Sequence, residues 1–277
     1  ELIMNNNVKI IGITIIFSCC LMIINLIMYN FEIKTKVDTV ILKKQLKTTT
    51  VFIFIITGRY NFKERKIQRD AGLLENIPKN VKIKYIIGDK SCNIPWEQRS
   101  TPYSCDGGVQ TKEFDMVNTR LDKVLNSEIS EFNDIITVDM VDYYRALPKK
   151  IKLAYKWGVE NTNAEWFFKI DDDCYFNTHK ILDGINNIKS SSNIPMIFGS
   201  ISYNVDVPKT GKWAEKTYKQ PKYPPFPIGS KGHGINRNIA IGISDKYEEL
   251  FEYQGEDVSI GIWAYEYFKN TQFIDGN

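Results

Sequence analysis

The segment Trp166-Phe167-Phe168-Lys169-Ile170-Asp171-Asp172-Asp173 constrains the fold of this chain more than any other. Its aromatic and apolar half reads as a buried strand, and it stops at three adjacent carboxylates. Neighbouring negative charges repel, so such a strand end calls for water or a cation to screen it. In extended backbone Asp171 and Asp173 point to one side and Asp172 to the other. That pattern suits a divalent cation held by oxygen ligands, with positions left for a substrate phosphate. The plain alternative is a solvated acidic turn after a core strand.

Around this segment, strand-like and helix-like stretches alternate. A β-branched run over 49–57 reads as a fully buried first strand, followed by a charged helix over 62–74 and a second strand over 81–87, closed by Gly88. A loop rich in Pro, Gly and Ser fills 89–110. A helix over 112–125, a strand over 134–138 and a helix over 143–159 lead to the aspartate strand. A helix over 179–188 and a strand over 195–198 follow. This order predicts an α/β domain with a mostly parallel sheet, in which ligands bind beyond the carboxyl ends of the strands, where the three aspartates sit.

Residues 10–30 are an uncharged apolar stretch long enough to span a bilayer, without the small-residue cleavage site of a signal peptide. They predict one N-terminal transmembrane signal anchor, after a short cytoplasmic tail (1–9) and before a lysine-rich stem (31–48). Charge counting opposes that orientation, because Lys9 alone precedes the span while Lys34, Lys36, Lys43 and Lys44 follow it. The net charge of +3 comes from lysines scattered among acids, so nucleic-acid binding is not expected. Cys92 and Cys105 could pair in an oxidising compartment, no Cys/His spacing suggests zinc, and no Asn-x-Ser/Thr acceptor occurs.

Four blocks, in order, resemble the beta-1,3-galactosyltransferase family, glycosyltransferase family 31. They are Arg65-Lys66-Ile67-Gln68-Arg69; Asp142-Tyr143-Tyr144-Arg145-Ala146-Leu147 through Lys150 to the aspartate triplet; Lys212-Trp213 with Tyr223-Pro224-Pro225-Phe226 and a Gly-rich turn; and Glu256-Asp257-Val258 with Gly261. The resemblance implies a single-pass type II Golgi membrane protein whose luminal part, residues 49–277, has a GT-A-like fold. It implies inverting transfer of a hexose or N-acetylhexosamine from a UDP-sugar to a hydroxyl of an acceptor glycan on a glycoprotein or glycolipid. A beta-1,3 linkage forms, and Mn2+ is the usual cofactor.

On that footing Asp173 is the direct metal ligand, and Asp171 and Asp172 position the nucleotide ribose and the metal's water shell. Arg65 and Arg69, one helical turn apart, suit a uridine or diphosphate, or else an ordinary solvated face. Asp257 is assigned as the general base that takes the proton of the attacking hydroxyl, with Glu256 second; the plain reading is an acidic pair at a helix N-terminus. Lys212, Trp213 and Gly232 are assigned to the donor and acceptor pocket, with Trp213 stacking on a sugar face.

The chain departs from the family at Gly72, where a Trp is usual, at Ala146 in place of Asn, and at a Gly-rich turn one residue longer that carries His233 at an aromatic position. Relatives are expected to continue beyond residue 277 through segments that include a metal-binding His, whereas the histidines here are His179 and His233. These departures keep two other readings open: a catalytically silent, membrane-anchored sugar- or UDP-binding relative, and an unrelated α/β phosphohydrolase using the three aspartates for a metal.

Overall fold

The computed structural model describes residues 51–188 and 194–276, together with Asn25, Met28 and Tyr29. The tail 1–9, the anchor 10–30 and the stem 31–48 otherwise lie outside the described residues. Among the described residues no helix is long and apolar enough to cross a membrane. Thr48–Asn277 form one unit, and it is described by itself.

The unit is built on a seven-stranded sheet of order β3-β2-β1-β4-β8-β5-β9. Strands β1 (Val51–Ile56), β2 (Val81–Ser91), β3 (Ile135–Asp142) and β4 (Trp166–Asp171) are mutually parallel. All six residues of β1 are buried, which requires cover on both faces. Alternation along the strand divides them: Phe52, Phe54 and Ile56 join one core cluster and Val51, Ile53 and Ile55 the other. The first cluster takes Ile151, Ala154 and Tyr155 from helix α3 (Leu147–Asn161). The second takes Leu182 and Ile185 from helix α4 (Thr178–Asn186), whose first turn is capped by the Asn177 side chain.

Helix α1 (Phe62–Asp70) ends short of the predicted 74, and Gly72, at φ +70°, turns the chain away. Helix α2 (Lys112–Phe132) outruns the predicted 125: the Thr111 side chain caps it, the hydroxyls of Ser127 and Ser130 fold back onto carbonyls one turn earlier, and left-handed Asn133 stops it. Strand β2 continues through Gly88, where the register with β3 shifts and the Gly88 N–H donates to Asp142.

The sheet departs from an all-parallel plan beyond β4. The second half of the expected Gly-rich turn is a strand, β8 (His233–Asn236), antiparallel to β4 and to β5 (Met196–Gly199). A Cβ at Gly234 would lie 2.3 Å from the Phe168 ring, so only glycine lets β8 cross that aromatic strand. Strand β9 (Gln272–Asp275) closes the order parallel to β5, and a short pair, β6 (Ile201–Ser202) with β7 (Phe226–Pro227), stands apart. Helices α5 (Arg237–Asp245) and α6 (Glu256–Tyr267) complete the unit.

Candidate active site

Parallel register places Ile56 of β1 beside Asp171 of β4, so the segments leaving these strands meet at one edge. There Asp172 accepts hydrogen bonds from the Thr57 hydroxyl at 2.6 Å and from Asn61 Nδ2 at 2.9 Å. Asp171 and Asp173 turn the other way: with Cys174 they offer ligand atoms that all lie within 4.8 Å of one another. The Cys174 thiol is pushed up to about 11, first by burial and then by the two carboxylates, and it donates to the Ser230 carbonyl at 3.2 Å. The oxygen donors of this group are the two aspartates. Two carboxylates on one side of a partly open site fit a divalent ion that prefers oxygen and keeps positions for phosphate.

Behind this edge sits Lys169, wholly buried, with Nζ 2.6 Å from Asp171 Oδ1, 2.8 Å from Glu256 Oε1 and 3.2 Å from the Gly229 carbonyl. Burial opposes its charge, but the Glu256 and Asp171 carboxylates outweigh burial and raise its pKa. At Glu256 burial raises the pKa, Lys169 lowers it by more, and it ends below the ordinary value. Asp171 is raised, chiefly by burial, in spite of Lys169.

Asp257 differs from its neighbour. Its oxygens accept the N–H of Val258 at 2.7 Å and of Gly229 at 3.3 Å. Burial, followed by the charge of Glu256, pushes its carboxyl up to about 6. An acidic pair in the first turn of α6 is thus split into one anchored carboxylate and one with basicity suited to accepting a proton near neutrality.

Asp171, Asp172, Asp173 and Glu256 border a cleft of about 620 Å³. Its walls include Thr57–Asn61 after β1, Trp96 and Arg99 from the loop closed by the Cys92–Cys105 disulfide, Phe114 and Asn118 of α2, and Asp171–Asp173, Lys212, Ser230 and Glu256. Lys212 Nζ lies 4.5 Å from the Tyr144 ring centre and 5.1 Å from that of Tyr103, holding its segment against the disulfide loop.

Of the residues named from sequence, the cleft collects Asp171, Asp172, Asp173, Glu256 and Lys212; Asp257 stands just behind Glu256 against Gly229. Trp213 is exposed and outside the wall. Gly232 is buried, and at φ +71° it makes the turn into β8.

Arg65 and Arg69 are placed otherwise than expected. Arg65, wholly buried, donates to Glu128 at 2.9 and 2.7 Å and to the Gly58 carbonyl at 2.7 Å. Arg69 pairs with Glu128 at 2.6 Å and with Asp134 at 2.8 Å. Neither lines the cleft: both clamp α1 to the end of α2, because distant carboxylates take up their donors.

Sequence reasoning missed Arg59, which borders the cleft and is held by Asp122 at 2.9 Å and the Gly88 carbonyl at 2.8 Å. It also gave no task to the pair Lys150–Asp142, 2.6 Å apart, in which Lys150 also donates to the Thr57 carbonyl at 2.8 Å. Their shared motif block was the available signal.

The sequence model of the family described as Galactosyltransferase matches residues 114–269. A UDP-GalNAc:beta-1,3-N-acetylgalactosaminyltransferase 2 of Mus musculus is 39% identical over 142 residues, 51% of this chain and 28% of that protein. The hydroxyproline O-galactosyltransferase GALT2 of Arabidopsis thaliana is 28% identical over 186 residues, 65% of this chain and 26% of that protein. A probable beta-1,3-galactosyltransferase 5 of Arabidopsis thaliana is 29% identical over 157 residues, 53% of this chain and 37% of that protein. The chain therefore spans well under half the length of these curated relatives.

Proposed function

This chain belongs to the galactosyltransferase family, and from that premise we propose that it transfers a galactose or related hexose or N-acetylhexosamine from a UDP-sugar to a hydroxyl of an acceptor glycan, with inversion and a beta-1,3 linkage. The observation that carries this reading is the meeting, around one cleft, of Asp171–Asp173 at the end of β4 with Glu256 at the start of α6, Asp257 lying next behind it against Gly229.

Asp171 and Asp173 would hold the divalent ion, Mn2+ by the family resemblance, which when bound neutralises charge developing on the departing diphosphate. Asp172, fixed by Thr57 and Asn61, ties the loop after β1 to this site, on the side proposed for the nucleotide. An inverting displacement requires one base on the acceptor side. Asp257, with its pKa near 6, takes the proton of the attacking hydroxyl, and Glu256, locked to Lys169, sets its position and basicity. Lys212, at the cleft wall, is the residue proposed to border the acceptor.

The further proposal that residues 10–30 anchor this unit in the Golgi, with its catalytic part in the lumen, draws support from the Cys92–Cys105 disulfide, which suits an oxidising compartment.

The test is UDP release by the full chain, with Mn2+ or EDTA, across a panel of UDP-sugars and simple acceptor glycosides. Manganese-dependent turnover with one donor, abolished in Asp173→Ala and Asp257→Asn, is expected. UDP binding without turnover would favour a silent sugar-binding relative, and no UDP binding would overturn both readings.

A further inference from the structure

Arg145 and Gly211, next in the chain to the cleft residues Tyr144 and Lys212, line a second cavity of about 520 Å³. Its lining combines three cations, Arg145, Lys209 and Lys216, with two carboxylates, Glu215 and Glu252.

Both carboxylates are committed. Glu215 is buried and accepts the backbone N–H groups of Thr217, of Tyr218 at 2.9 Å and of Gln254 at 2.8 Å. Glu252 is paired at 3.0 Å with Lys152, which lies outside the lining. The side-chain oxygen of Gln254 accepts Arg145 Nη1.

The donors are not matched in the same way. Arg145 Nε and Gln254 Nε2 belong to hydrogen-bonded neighbours, are buried, and meet no acceptor. Buried donors without partners are uncommon and call for an account. Lys209 and Lys216 are exposed at the rim, and neither forms an ion pair among the described residues. The Arg145 backbone N–H, bonded to the Tyr103 carbonyl at 3.0 Å, holds this residue in place.

A neutral sugar hydroxyl donates as well as accepts, and the cations of this wall have no carboxylate paired with them among the described residues. A group that only accepts, and carries negative charge, matches it better, and a guanidinium is suited to carboxylate and phosphate oxygens. We propose that this cavity is a subsite for an acidic group, a carboxylate or a phosphate, carried by the acceptor glycan away from the hydroxyl that receives the sugar. The proposal rests on the transferase reading above.

The test is calorimetric titration of the full chain with glucuronate, glucose 6-phosphate, glucose and inorganic phosphate, and separately with UDP plus Mn2+. At least one acidic sugar is expected to bind about tenfold more tightly than glucose and more tightly than inorganic phosphate. Arg145→Gln should remove that preference and leave UDP affinity within about twofold, a difference of roughly 0.4 kcal/mol. The surface pair Lys209→Gln with Lys216→Gln gives the same readout if Arg145→Gln does not fold. The subsite is overturned if acidic sugars bind no better than glucose, if inorganic phosphate binds equally well (an adventitious anion only), or if the preference survives the substitutions. With UDP binding intact, those results leave the transferase reading standing; no UDP binding by the unsubstituted chain overturns that reading and the subsite with it.

Discussion

Lys169 Nζ lies 2.8 Å from Glu256 Oε1, across 87 residues of sequence, and joins the aspartate strand β4 to the first turn of α6. The same ammonium holds Asp171 at 2.6 Å, so a single buried cation sets the spacing between the proposed metal-binding and proton-accepting halves of the site.

Removing that cation should damage folding before chemistry. Lys169→Met leaves Glu256 buried and unpaired, with an expected loss of about 3–5 kcal/mol in urea unfolding. Adding Glu256→Gln should recover part of the loss. Because the pKa of Lys169 is raised in the folded state, its stabilisation is fully present at neutral pH and fades only in strong alkali. A Lys169→Met variant as stable as the parent would contradict this account.

Asp257 predicts the acid limb of activity. Below its pKa of about 6 the carboxyl is protonated and accepts nothing, so kcat/KM should fall as pH drops through about 6. Asp257→Asn should lower kcat by at least about 100-fold and abolish that limb. The same shift has a stability sign. Between the unperturbed value of 3.8 and about 6 the folded state binds the proton more tightly, so this group adds stability as pH falls. The slope of melting temperature against pH in that window should become less negative in Asp257→Asn.

Asp172 and Asp173 should separate cleanly. Asp173→Ala is expected to weaken Mn2+ binding, measured by calorimetry, by at least about tenfold. Asp172→Ala should spare most of that affinity but release Thr57 and Asn61, at a cost of about 1–3 kcal/mol in stability. Equal loss of Mn2+ affinity in both variants would mean that all three aspartates act as ligands.

Arg69 offers a check on the arginine pair. Its contacts with Glu128 and Asp134 predict that Arg69→Gln loses about 1–3 kcal/mol of stability while UDP affinity stays within about twofold. A tenfold loss of UDP affinity in a well-folded variant would restore the nucleotide-binding role read from sequence.

Opening the Cys92–Cys105 disulfide should loosen the loop that brings Trp96 and Arg99 to the cleft. The double Ser variant is expected to lose about 2–4 kcal/mol of stability, with KM for the donor rising more than kcat falls. Unchanged KM in the reduced protein would place the donor elsewhere.

What the sequence determined was local. Six buried β1 residues and the strand before Asp171 follow from continuous apolar runs, the sidedness of Asp171 against Asp172 from the period of two in extended backbone, and the helices between them from longer amphipathic periods. The motif blocks, read in order, carried the family. Pairing came only with the folded chain. Arg65 and Arg69 meet partners 63 and 65 residues away, and helical spacing says nothing of which distant carboxylates will occupy them. Glu256 and Asp257 are chemically alike in sequence. They differ because burial raises both, but Lys169 outweighs it at one while the neighbour's charge adds to it at the other. Strand β8 is only four residues long, with no β-branched run to announce it, and it exists because Gly234 lets it lie across Phe168. Local pattern is written in adjacent residues; charge pairing and close approach arise only when distant segments are brought together.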